Sequence, residues 1–215
     1  MVTWKSMMTE MEKSDKFLTD ELYLYELAVY QYGFIAYCIG IKDDETAGTY
    51  LYKAKENVEK LIEANNNWAE VYALKGVLYG YEIYLSQFKA VYLGARSTEN
   101  LDKALELDSD CFSCKIEKAN QLYYTPSMFG GNKSDALELY VEAVSYYNKN
   151  IYKTEDWYYL NVLRQLADVY EKNGDFENAN SMYLKILKYE PNFKWVNEEL
   201  YPEFQIRYRD WVRGK

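Results

Sequence analysis

Histidine is absent from this chain, and proline (three), cysteine (three) and glycine (ten) are scarce among its 215 residues. Without imidazole, the group on which most acid–base catalysis at neutral pH and most zinc sites rely is missing. That removes the commonest toolkit of an enzyme and argues against a catalytic, metal-bearing or cofactor-bearing centre. So few glycines and prolines, beside plentiful Leu, Ala, Glu, Lys and Tyr, favour helices joined by short turns over sheets. No stretch approaches ~18–20 uninterrupted apolar residues, so no membrane-spanning helix is predicted. The N-terminal Met-Val-Thr-Trp-Lys shows no charged segment followed by an apolar one, so it does not read as a signal peptide. No run of Lys or Arg is long enough to track a phosphate backbone. With 34 acidic against 25 basic residues the net charge is −9, which argues against nucleic acid and against an anionic membrane surface as partners.

What is present is helical periodicity, clearest over residues 160–191. Leu163, Leu166, Ala167 and Tyr170 recur at i, i+3, i+4 and i+7, one face of a helix that ends near Gly174. Asp175 is placed to cap a second helix. There Phe176, Ala179, Tyr183, Ile186 and Leu187 form another apolar stripe, and Pro191 follows its stop. Leu163, Leu166-Ala167, Tyr170, Ala179, Tyr183 and Pro191 stand at the spacing of a tetratricopeptide (TPR) repeat, and the segment resembles that family. It departs by having Leu163 for the first large residue and Ala167 for the first-helix Gly.

The rest of the chain follows the same pattern more loosely. Residues 3–18 read as one short amphipathic helix with Trp4, Met7, Met8 and Met11 on its apolar side, capping the stack. A long helix from Thr19-Asp20 to Gly40 is apolar on nearly all sides. Its partner, with Leu51, Ala54, Val58, Leu61 and Ile62 on one face, ends at Asn65. A second pair begins at Trp68, with Tyr72, Gly76 and Tyr79 at repeat positions and Ala104 closing it. A third begins near Asp110, with Ala119, Ala136, Tyr140 and Ala143. Thr154 is expected to cap the fourth. The repeats end at Asn66, Ser109, Asn148 and Pro191, 43, 39 and 43 residues apart. A standard repeat is about 34 residues, so longer helices or loops are expected. Residues 192–215 read as a final capping helix kinked or broken at Pro202. The expectation is a single all-α domain, 1–215: a right-handed α-solenoid of about four TPR-like pairs over 19–191 with caps at 1–18 and 192–215.

Candidate sites follow from that register. TPR stacks line their concave side with first-helix residues, and the resemblance places Tyr81, Asn120, Tyr123, Tyr124, Asn161, Arg164 and Asp168 there. Among 25 tyrosines most are expected to pack between helices. A cluster such as Tyr123-Tyr124 suits peptide or small-ligand contact, because tyrosine offers a large apolar area and a hydroxyl at low entropic cost. One TPR subclass grips a C-terminal carboxylate with Lys and Asn on successive first helices, and that set is not found here. Cys111 and Cys114 read as two small residues in a first turn or, one turn apart, as a disulfide. Cys38 reads as core. In the Thr125–Asn132 loop, Phe129 is expected to tuck beneath the turn, with a binding loop as the alternative. Its Pro-x-Met-Phe-Gly-Gly resembles turns of TPR proteins of bacterial envelopes, which favours a periplasmic or envelope setting. The acidic groups Asp43-Asp44-Glu45 and Glu198-Glu199 read as solvated turns and faces. The functional expectation is a non-catalytic scaffold that holds a protein or peptide partner in a Tyr-rich concave groove. The alternative is a small-ligand carrier of envelope transport.

Overall fold

The computed structural model describes residues 2–149 and 157–214, and Thr154 lies outside them. Among the described residues there is no strand. The chain divides into two compact units, Met1–Gln121 and Leu122–Lys215.

The first unit opens with α1 (Val2–Lys13) and α2 (Lys16–Thr19), where one helix over 3–18 was expected. The break has a local cause. Ser14 Oγ accepts the Lys16 N–H at 3.3 Å, so the serine side chain competes with the helical ladder. Met8 and Met11 are buried while Met7 faces solvent. The first pair follows as α3 (Glu21–Gly40) and α4 (Asp44–Ala64), and the second as α5 (Ala69–Leu85) and α6 (Ala90–Leu107). Asp20 and Asp43 cap α3 and α4 by accepting the N–H groups of Tyr23 and Thr46. Leu27, Phe34, Ile35, Leu61 and Leu78 are fully enclosed, and Cys38 is core as expected. Gly76 is required by contact distance: a Cβ there would lie 2.7 Å from Leu101 Cγ, so α5 and α6 approach as closely as they do only without a side chain. Next comes α7 (Phe112–Tyr124). At its start Cys111 and Cys114 are joined as a disulfide, the second of the two alternatives that their spacing allows. Both sulfurs are buried against Ala69, Ala73, Leu101 and Ala104. The Cys114 N–H also points at Cys111 Sγ, at 3.2 Å, so burial and helix geometry bring the two together.

In the second unit come α8 (Lys133–Lys149), α9 (Trp157–Lys172) and α10 (Phe176–Tyr189). Asn132 caps α8 by accepting the N–H groups of Ser134 and Asp135, and Asp175 caps α10 by accepting that of Asn178. Gly174, at φ +77°, makes the left-handed turn out of α9 that a β-carbon resists. Leu163, Leu166, Ala167, Ala179, Tyr183 and Ile186 are buried, as their spacing requires. Tyr147 and Tyr159 stack at 4.0 Å. The C-terminal cap is not broken at Pro202. Residues Trp195–Leu200 form a π-helical turn that runs into α11 (Tyr201–Arg213), and Pro202 sits in the first turn of α11, where a missing N–H costs nothing. Phe204 is fully buried, ringed by Tyr183, Tyr201 and Tyr208 at centroid distances of 5.0, 6.2 and 5.6 Å.

Candidate binding surface

The seven residues assigned to the concave side fall in both units. In the first unit, Tyr81 of α5 and Asn120 of α7 are half-buried and belong to one cluster. Tyr32 of α3 stacks on Tyr81 at 5.6 Å and donates its hydroxyl to Glu117 Oε1 at 2.8 Å. Asn120 Nδ2 donates to Glu117 Oε2 at 3.0 Å. Glu117 is only 5% exposed, so both its oxygens are satisfied within the protein as burial of a carboxylate demands. The Tyr32–Glu117 bond joins first helices two repeats apart and fills the face it spans. Nearby, Tyr25 packs against Trp68 at 4.9 Å. Burial raises the Tyr25 phenol well above its usual value, and the carboxylates of Glu70 and Glu117 raise it further. Tyr25 and Tyr32 were missed in the sequence because α3, apolar on nearly all sides, announces no face, and Glu117 of α7 was missed with them. The i, i+3 pairing of Glu117 with Asn120 was the available signal.

In the second unit the arrangement is more open. Tyr123, on the last turn of α7, is 7% exposed, and Tyr124 beside it is 66% exposed, with the two rings edge to face at 5.0 Å. Tyr123 donates to Asp168 Oδ2 at 3.2 Å, and Lys172 Nζ donates to the same oxygen at 2.9 Å. The ammonium groups of Lys133 and Lys172 lie 5.8 and 5.4 Å from the Tyr123 ring centroid. Burial raises the Tyr123 phenol, and the Lys172 ammonium works against it. The hydrogen bond to Asp168 holds the Lys172 ammonium well above the usual lysine range. One turn back on α9, Arg164 Nε donates to Asn161 Oδ1 at 3.2 Å, and its guanidinium lies 5.5 Å from the ring centroid of the exposed Trp195. Thus Asn161, Arg164, Asp168 and Lys172 form one polar stripe along α9. Lys172, Lys133 and Trp195 were not foreseen, although Lys172 stands at i+4 from Asp168.

The Thr125–Asn132 loop departs from expectation. Phe129 is not tucked beneath it: Met128 and Phe129 are 82% and 70% exposed. The cause lies in the following glycines. Gly130 takes φ +93°, and a Cβ at Gly131 would fall 1.7 Å from the Thr125 carbonyl oxygen, so the backbone closes on itself and leaves no room beneath for a ring.

Two clefts in the first unit are open to solvent. One, of about 380 Å³, lies by Leu22, Trp68, Glu70 and Asp108; the other, of about 650 Å³, by Tyr72, Lys75, Arg96 and Glu99. Among the described residues no three His, Cys, Asp or Glu side chains gather as a metal site, and no helix is long and apolar enough to cross a membrane.

No protein-family model matches the chain, and no curated protein matches it. Solved structures do. The HusA haemophore from Porphyromonas gingivalis superposes with a TM-score of 0.65 at 20% identity, over 79% of this chain and 84% of that one. TTC0263, a thermophilic TPR protein of Thermus thermophilus, superposes with a TM-score of 0.64 at 16% identity, over 97% and 90%. Likeness at such low identity speaks to architecture, and the architecture of this chain is the all-α helical-repeat solenoid of the tetratricopeptide proteins.

Proposed function

We propose that the chain is a non-catalytic binding scaffold whose contact surface in the second unit is built from Tyr124, Asn161, Arg164 and Trp195. The carrying observation is that these aromatic and cationic side chains stand half-buried or exposed on helices whose other faces are packed. Aromatic and arginine side chains carry a disproportionate share of interface energy, often ~2 kcal/mol or more on truncation. Of the other residues assigned to the groove, Tyr123 and Asp168 act as the framework of this surface, since each engages the other, while Tyr81 and Asn120 belong to the network of the first unit. The test pairs thermal stability with direct titration of a partner identified from an extract of the native organism. Tyr124→Ala and Arg164→Ala are expected to keep the melting temperature and lose at least ten-fold in affinity. A collapse of stability in Tyr124→Ala moves the site elsewhere.

A second reading, a small-ligand carrier, is favoured by one observation: the likeness to a haemophore. Lacking histidine, this chain would have to meet a haem iron with tyrosine, methionine or cysteine, and Tyr124 is an exposed phenol on the proposed surface. Titration with haemin, followed in the Soret band, tests it: saturation at one equivalent, lost in Tyr124→Phe, supports the carrier, and a featureless titration removes it.

A further inference from the structure

The first unit carries an apolar projection at one end of α5 and an open cleft at the other. At the projecting end α5 passes through a short turn, Gln87–Lys89, into α6. Lys89 folds back to Glu82 of α5 at 2.6 Å, and Lys55 of α4 holds the same carboxylate, so the turn is pinned from within. The side chains left outside are apolar. Phe88 and Val91 are 97% and 91% exposed, and Tyr84 and Tyr92 are more than half exposed. Exposed apolar residues scattered singly need no explanation, whereas a group gathered on one turn marks a contact. Between Glu82 and Glu99 the chain has no carboxylate, and Lys89 and Arg96 stand beside the apolar tip. The cleft lies at the other end. Tyr25 meets Trp68 near the starts of α3 and α5, and Tyr32 meets Tyr81 further along, so the two helices run parallel. Their starts therefore share one end of the unit, about 25 Å along α5 from the tip. There Leu22, 68% exposed, and Trp68 wall the cleft of about 380 Å³, and Glu21, Glu70 and Asp108 line it. Among the described residues no cation lines it.

We propose that the tip of one molecule docks into the cleft of a second copy of this chain, with Phe88 against Leu22 and Trp68 and with Lys89 and Arg96 facing Glu21, Glu70 and Asp108. The two ends complement each other in shape and in charge: an apolar projection beside cations meets an apolar-walled hollow lined by carboxylates. A lipid surface would take up the tip and leave the cleft without a role, whereas a second copy accounts for both. The two surfaces differ and lie at opposite ends of one unit, so the contact is heterologous. Each copy that docks keeps one surface open, and molecules join head to tail rather than in closed pairs. This interface uses none of the second-unit residues and stands or falls apart from the reading above.

Sedimentation velocity of the full chain at rising concentration is the test, with two variants. Phe88→Ser/Val91→Ser removes the tip, and Glu21→Lys/Leu22→Ser removes the cleft. All these side chains are exposed, so each variant should keep the melting temperature of the unaltered chain. The unaltered chain is expected to pass from monomer to dimer and beyond, with a dissociation constant on the order of 100 μM for so small a contact. Each variant alone should associate about ten-fold or more weakly. Mixed, the two variants should form a one-to-one dimer and stop there, because one supplies an intact cleft, the other an intact tip, and no second contact remains. A chain that stays monomeric at about 1 mM overturns the inference. So does association that either variant leaves intact, or a mixture that fails to pair. Co-sedimentation of a monomeric chain with vesicles of phosphatidylglycerol and phosphatidylcholine, lost in Phe88→Ser/Val91→Ser, gives the tip to a lipid surface and overturns it as well.

Discussion

The two units use the first-helix face of the same repeat in opposite ways. In the first, Tyr32, Tyr81, Asn120 and Glu117 turn toward one another and close a network over the face. In the second, Tyr124 and Trp195 keep open ring surface, and Arg164 keeps donors to spare. The difference comes from where the acid stands. Glu117 lies within reach of two donors from its own unit and is consumed by them. Asp168 and Glu171 are consumed by Lys172 and Arg207, which strands Arg164. One register of positions can therefore be mortar in one repeat and contact surface in another, and residue type alone does not say which.

The contrast can be broken by substitution, and urea or thermal unfolding of each variant reads it out. The largest effect is expected in the first unit. Glu117→Ala leaves the Tyr32 hydroxyl and the Asn120 amide without their buried acceptor and should destabilise by about 3 kcal/mol. An unchanged midpoint would show that the network contributes nothing and that the face is free. Next comes the disulfide. Opening so short a loop should lower stability by about 2 kcal/mol in the chain-entropy account. The chemical check is a thiol count in denaturant, with Cys38 alone reacting before reduction and all three cysteines after it. Tyr32→Phe, which removes one bond to a charged acceptor, should cost about 1.5 kcal/mol. The smallest effects belong to the second unit, where Tyr124→Ala and Arg164→Ala should each change stability by less than about 0.5 kcal/mol. If either falls with the Glu117 variant, the two faces are alike and the contrast is lost.

Much of the fold could be read from residue spacing, because burial writes itself into periodicity. The stripe from Leu163 to Tyr170, the caps at Asp20 and Asp175, and the small residues at Gly76 and Ala179 all follow from helix geometry and close approach. The candidate surface was legible only as a register. Which members of that register face outward depends on partners far away in sequence: Tyr32 reaches Glu117 across 85 residues, and Trp195 meets Arg164 from the C-terminal cap. No local pattern carries such pairings. The disulfide was left open for a similar reason, since spacing permits it and burial among Ala69, Ala73 and Leu101 completes the setting. The Phe129 expectation failed because apolar character argues for burial, whereas the backbone at Gly131 leaves nowhere to bury it.

That tight loop has a consequence for how the protein tolerates variation. In a saturation library selected for abundance, positions 130 and 131 should admit almost nothing, one for its backbone angle and the other for the missing atom beside Thr125. Positions 128 and 129, immediately before them, should admit nearly everything, since their side chains touch little. Two intolerant columns beside two permissive ones form a ruler inside a single short stretch of chain. If selection for activity in the native host then closes columns 128 and 129 as well, the loop is read by something outside the chain, and the glycines exist to present it.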